Sequence, residues 1–172
     1  MKILIITQDE PFYLKSNLEY LCEILPVEIE IIGCIVNEVS PFGKKETFKE
    51  KALKTYHIFG LGFFLYYSIK YVKGVFFTKS IKDFLKEKEI PLINIAGSIN
   101  TENSLNIIKS YNPDLLVSIL GNQIFKRPLI ELAPKGCINL HTALLPKYRG
   151  LMPSFWVMKN NEKYTGVSVF FV

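Results

Sequence analysis

Residues 2–37, "KILIITQDEPFYLKSNLEYLCEILPVEIEIIGCIVN", decide the fold class. The stretch opens on "KILIIT" (2–7), a continuous apolar run rich in isoleucine. A run without polar alternation suits a strand covered on both faces, as in a parallel sheet. Across 11–25, Leu14, Leu18, Leu21, Cys22 and Leu25 recur at the spacing of an amphipathic helix, and Pro26 stops it. "VEIEIIGCIVN" (27–37) reads as a second strand. Strand, helix, strand in this order predicts an α/β fold with an open, mostly parallel, Rossmann-like sheet and helices on both faces.

The rest of the chain continues the alternation. An exposed loop and a Lys-rich helix are predicted over 38–57. A very apolar, aromatic segment, "IFGLGFFLYYSIKYVKGVFF", follows at 58–77. Lys70 and Lys73 interrupt it, and its uncharged part falls short of the ~20 residues a spanning helix needs. A buried or groove-forming helix is the expectation there. An interfacial helix on a membrane, with snorkelling lysines, is the alternative. Helices are predicted at 80–90, 100–112, 123–133 and 153–161, and strands at 91–97, 113–121, 136–141 and 165–172. Ser, Thr and Asn at the start of 100–112 supply capping side chains. Pro153 fits a first helical turn.

Size and composition bound the function. A chain of 172 residues suggests one domain. Hydrophobic residues make up 49% and charged residues 22%, a globular composition. The net charge is +5. That balance permits an anionic partner, but lysines spread over 44–88 at helix-like spacing read as solvated faces and not as a nucleic-acid patch. Cys22, Cys34 and Cys137 form no Cys-x-x-Cys pair, and with two histidines no zinc site is expected. They read as buried reduced thiols of a cytoplasmic protein. The four-residue apolar run at the N-terminus is too short for a signal peptide. No Gly-x-Gly-x-x-Gly follows the first strand, where "TQDEPF" stands, and there is no Walker sequence. Classical dinucleotide and P-loop binding are therefore not expected.

The chemistry gathers at "GCINLHTALLPKYRG" (136–150). Ligands in open α/β sheets bind outside the carboxyl ends of strands. The strand "VSILG" runs into a loop at 120–123, and "INLH" runs into a loop at 142–150. If these strands are neighbours, their ends make one crevice. Asn139 and His141 lie two apart on a strand, so their side chains share a face. A carboxamide and an imidazole side by side can donate to a developing oxyanion and handle a proton, which suits acyl transfer to an amine. On spacing alone, a satisfied polar pair at a strand end remains the competing reading.

"NLHTALLPKYRG" resembles the formyltransferase family, which moves a formyl group from 10-formyltetrahydrofolate to an amine. The family signature is Asn-x-His-x-Ser-Leu-Leu-Pro-x-x-Arg-Gly. Asn139, His141, Leu144, Leu145, Pro146, Arg149 and Gly150 match it. "YTGVSVFF" corresponds to the family's "ETGVT"-like segment, and the match is specific from about residue 111 onward. The resemblance implies that Asn139 and His141 are catalytic and polarise the formyl carbonyl. It implies 10-formyltetrahydrofolate as co-substrate, held by Leu120, Gly121, Asn122, Gln123, Ile124, Leu145 and Pro146. The 40–90 region resembles the variable insertion of the sugar N-formyltransferase branch, implying an amino-sugar acceptor, nucleotide-linked. A homodimer is left open; neither a nucleic-acid partner nor stable membrane insertion is expected. Ala143 departs from the usual Ser, and 120–124 from the usual folate loop. The family's catalytic Asp follows the "TGVT" strand and has no counterpart here; Asp114 begins its strand and lies at the wrong end. The chain stops on an apolar strand, so it is expected to be an incomplete catalytic domain, inefficient alone. A non-catalytic folate-binding or interaction module of the same fold is the other reading.

Overall fold

The apolar run at the N-terminus forms the centre of the molecule. In the computed structural model, which describes residues 1–10, 12–37, 47–77, 80–150 and 152–172, it is strand β1 (Lys2–Gln8). Then follow α1 (Leu14–Ile24), β2 (Glu30–Asn37), α2 (Phe48–Phe77), α3 (Ile81–Glu87), β3 (Leu92–Ile93), α4 (Glu102–Ser110), β4 (Leu115–Ile119), α5 (Arg127–Ile130), β5 (Cys137–His141), α6 (Pro153–Lys159) and β6 (Ser168–Phe171). The sheet order is β3-β2-β1-β4-β5-β6. All neighbours run parallel except β6, which is antiparallel to β5. This is the open, mostly parallel sheet that the sequence predicts.

Side chains alternate across β1 and feed two cores. Leu4 and Ile6 join Ile35, Leu116 and Cys137 with Ile108 of α4 and Leu129 of α5. Ile5 and Cys34 face the other way, onto Leu14 and Leu18 of α1 and Ile81, Phe84 and Leu85 of α3. Helices therefore cover both faces, which is why β1 tolerates no polar alternation. Local caps fix the helix starts. Ser80 and Asp83 make a reciprocal capping box on α3, and the Thr101 hydroxyl accepts from the Ser104 amide on α4.

Several elements are shorter than predicted. β3 keeps only two residues of 91–97, because it lies at the sheet edge with β2 as its one partner and then leaves towards 97–100. The turn Pro26–Ile29, closed by an Ile29 amide on the Pro26 carbonyl at 2.9 Å, delays β2 to Glu30. Pro128 sits in the first turn of α5, where its missing N–H costs nothing. The predicted loop at 38–46 lies outside the described residues. Cys34 and Cys137 are buried, and desolvation pushes their thiols up to about 12 and about 11; Cys22 is only half-buried on α1.

The aromatic segment is the largest departure. It is not buried. It forms most of α2, which bends at Gly60, where φ is 78°. One face packs on the protein and much of the remainder is exposed.

Phe84 is the largest fully buried side chain among the described residues and ties α3 to the sheet and α1. Phe84→Ala is expected to cost roughly 3–5 kcal/mol, read as a lower urea midpoint at unchanged slope.

Candidate active site at the carboxyl ends of β4 and β5

β4 and β5 are neighbours, with Ser118 opposite Asn139 and Ile119 opposite Leu140. Paired residues share a face, so Asn139 lies on the same face as Ser118 and as its β6 partner Phe170. His141 is one step further along that face, at the strand end, opposite Ser168. Both residues are half-buried. The turn after β4 begins one residue beyond Ile119, so it stands about 4.8 Å sideways from the end of β5. The two strand ends are neighbours, the condition on which the crevice inferred from sequence depends.

The histidine has a defined tautomer. Its Nε2 lies 2.9 Å from the Tyr148 carbonyl oxygen. A carbonyl only accepts, so Nε2 carries the proton and donates. Nδ1 of the neutral ring is then the lone-pair nitrogen, the atom that can accept a proton. Donation from Nδ1 requires the imidazolium. Tyr148 presents its carbonyl because it sits at φ 54°, in the left-handed region. The loop around it is held from several sides. The Tyr148 hydroxyl donates to Glu162 at 2.7 Å, and Lys147 pairs with Glu162 at 3.1 Å. The Tyr148 hydrogen bond, then Lys147, hold the Glu162 carboxyl below the usual carboxylate range.

Ser168 of β6 fastens the front of the same loop. Its hydroxyl donates to the Ala143 carbonyl at 2.8 Å and accepts from the Leu145 amide at 3.0 Å. Ala143 is fully buried beneath this latch, and the Leu145–Pro146 bond is cis. The glycine of "TGV", Gly166, has a packing reason: a Cβ there would meet Leu144 Cδ2 at 2.7 Å. Arg149 and Gly150 are exposed at the far end of the loop.

The turn at Leu120–Ile124 is similarly braced. Leu120 takes φ 58° to leave the strand. A Cβ on Gly121 would come within 2.5 Å of the Ser118 hydroxyl, so any larger residue there must displace that side chain. The Gln123 side chain points back into the protein: its carbonyl oxygen accepts from the Ile99 amide at 2.9 Å and its amide donates to Gly97. Asn100 clamps the other end, donating to the Ile124 carbonyl and accepting from the Lys126 amide, both at 2.8 Å. The Gln123 side chain is thereby committed to the fold, and the turn offers a ligand its peptide groups and the 86% exposed side chain of Ile124. Sequence reading did not find Asn100, Tyr148 or Ser168 as supports of the site. Each acts through a main-chain contact that no spacing rule reveals.

The three aspartates are placed as follows. Asp114 pins the opposite end of the sheet, where its carboxylate accepts from the Lys2 amide at 2.6 Å. Asp9 ends β1, two strands or roughly 10 Å from β5. Asp83 caps α3. Among the described residues the one hydrogen-bond partner of His141 is the Tyr148 carbonyl. No group of three metal-ligating side chains occurs among the described residues.

α2 spans from the loop after β1 to α6. Phe12, in the loop after β1, lies 4.9 Å from Tyr67, and Tyr67 stacks with Phe63 at 5.5 Å. Phe63 meets Phe59 at 4.6 Å, and Phe59 meets Phe155 of α6 edge-on at 5.9 Å. An aromatic chain thus runs from the β1 loop to the helix that follows the His141 loop. Lys70 adds a cation 4.2 Å above the Tyr13 ring.

An open α/β sheet in the order 3-2-1-4-5-6, with an Asn-x-His at the carboxyl end of its fifth strand, defines the class. Residues 78–172 match the family model described as formyl transferase, and the chain belongs to that family. Over 92 residues it is 38% identical to the methionyl-tRNA formyltransferase of Clostridioides difficile, covering 54% of this chain and 29% of that protein. The Alkaliphilus oremlandii enzyme of the same name is 41% identical over 75 residues, covering 44% and 24%. The matched stretch is thus under a third of these relatives' length. Among solved structures, phosphoribosylglycinamide formyltransferase from Anaplasma phagocytophilum superposes with a TM-score of 0.64 at 16% identity, covering 100% of this chain and 64% of that one. A formyltetrahydrofolate deformylase from Pseudomonas syringae pv. tomato gives 0.62 at 13% identity, covering 100% and 46%. These structures establish the shared fold. α2 lies wholly outside the family-matched segment.

Asn100→Ala removes both ends of the clamp on Ile124 and Lys126. It is expected to cost about 1–2 kcal/mol in urea unfolding and to speed amide exchange in 121–126 with little change in β5.

Proposed function

We propose that the protein carrying this chain transfers a formyl group from 10-formyltetrahydrofolate to an amine, with Asn139 and His141 as the catalytic pair. The single observation behind this reading is the placement of that pair at the carboxyl end of β5, beside the turn Leu120–Ile124, inside the family-matched segment. The pterin would lie against the turn's peptide groups at Gly121, Asn122 and Gln123, flanked by the apolar surface of Leu120, Ile124, Leu145 and Pro146. The apolar rims and main-chain donors and acceptors suit a flat, polar-edged heterocycle.

The chemistry follows from the two side chains. The amine nitrogen attacks the formyl carbon, and the carbonyl oxygen gains negative charge. The Asn139 carboxamide donates to that oxygen. Nδ1 of His141 accepts the proton that the nitrogen must lose, while Nε2 stays on the Tyr148 carbonyl. The resulting imidazolium lies beside the oxyanion and stabilises it. The C–N bond to the folate nitrogen then breaks, and that nitrogen takes the proton back. In the family an Asp assists this cycle, and positions 1–172 contain no counterpart. On this reading the chain alone binds the co-substrate but transfers slowly.

We further assign the acceptor to nucleotide-linked amino sugars. This rests on the insertion-like α2 region, which lies outside the segment matched by the family model. A second reading, a folate-binding module without turnover, is favoured by one observation: no carboxylate contacts His141 among the described residues.

In the protein that carries this domain, assayed with 10-formyltetrahydrofolate and a panel of amines, His141→Ala and Asn139→Ala should each lower the rate roughly 100-fold. Wild-type turnover with both variants unaffected removes the assignment of the pair. Ligand binding without turnover by the wild type selects the second reading.

A further inference from the structure

The outward face of α2 is built for contact. Beyond the bend at Gly60, one side of the helix, with Phe63 and Tyr67, packs on the protein through Phe12 and Phe59. Leu61, Leu65, Ile69 and Val72 recur at steps of four, four and three, so they line the opposite side. They are 59%, 52%, 59% and 49% exposed. Four aliphatic side chains in one row, each about half or more open to water, exceed the scattered single residues a surface normally shows. Tyr66, 64% exposed, and the exposed Lys73 border the row.

Charge decides what covers it. From Lys51 to Phe77 the sequence holds four lysines and no Asp or Glu. The whole chain carries +5. Pairing the row with a second copy would set two lysine-rich helices side by side, each with Glu50 of its first turn as its one carboxylate and none beyond the bend at Gly60 to offset the repulsion. An anionic lipid surface removes the conflict. Aliphatic side chains enter the acyl boundary, tyrosine rings sit at headgroup level, and lysines reach anionic headgroups. No helix among the described residues is long and apolar enough to cross a membrane, so contact would be along the surface.

We infer that α2 docks this protein onto anionic membrane surfaces through Leu61, Leu65, Ile69 and Val72. This does not depend on the proposed formyl transfer. The bridging position of α2 would set the crevice beside the bilayer, within reach of an acceptor held there.

Flotation of the full chain with vesicles tests the inference. Phosphatidylcholine vesicles containing 30% phosphatidylglycerol, a composition chosen for the test at about a third anionic lipid, should bind the protein at least about tenfold more tightly than pure phosphatidylcholine. Raising salt to roughly 0.5 M should weaken that binding. Leu65→Gln with Ile69→Gln should lower binding at least about tenfold with unchanged circular dichroism. Lys73→Glu, at an exposed position, supplies an independent second variant and should also weaken it. Absence of binding to the anionic vesicles, or equal binding by all variants, overturns the inference. So does a dimer in vesicle-free solution that the double glutamine variant dissociates, which would make a second copy the occupant.

Discussion

Burial of β1 on both faces is the constraint from which the rest follows. Leu4 and Ile6 go to one core and Ile5 to the other, so helices must cover both sides of the sheet. A sheet covered on both sides leaves its strand ends as the place where loops of different sequence can meet. The order 2-1-4-5 brings the ends of β4 and β5 together, and parallel register puts Ser118 opposite Asn139. The candidate site is therefore set by packing far from it. The polar contacts around it, from Ser168, Tyr148, Gln123 and Asn100, tune loops whose position the sheet has already chosen.

Much of this was legible in the chain because it is local. Apolar runs bounded by polar residues, Ile3–Ile6 and Ile31–Val36, identify β1 and β2. Asn139 and His141 share a face by the two-residue period of a strand alone. What was not legible is long-range. Gln123 sits in a stretch that looks like a ligand loop, yet its side chain bonds a peptide 24 residues away. The proton position on His141 depends on Tyr148 adopting a left-handed conformation that no turn rule assigns to tyrosine. β3 shortened because its second neighbour is absent, a property of the sheet edge and not of its residues.

The aromatic segment shows how composition misleads when geometry is missing. A stretch as apolar as 58–77 reads as buried. In the fold its aromatic residues are split: Phe59, Phe63 and Tyr67 bridge the β1 loop and α6, while an aliphatic row is left facing out. The two halves serve different purposes. The inner one ties the β1 loop to α6, and the outer one is a surface in need of a partner. The family match begins at residue 78, after this helix, so α2 lies outside the matched segment.

The central claim is that the paired ends of β4 and β5 hold a reduced folate. The most direct measurement is a titration of the isotopically labelled chain with 5-formyltetrahydrofolate, followed through backbone amide and histidine ring resonances. The account predicts saturable shifts in the amides of 120–124 and 141–146 and in the His141 ring, with the His57 ring on α2 unmoved. Shifts confined elsewhere, or none at about millimolar ligand, would contradict it.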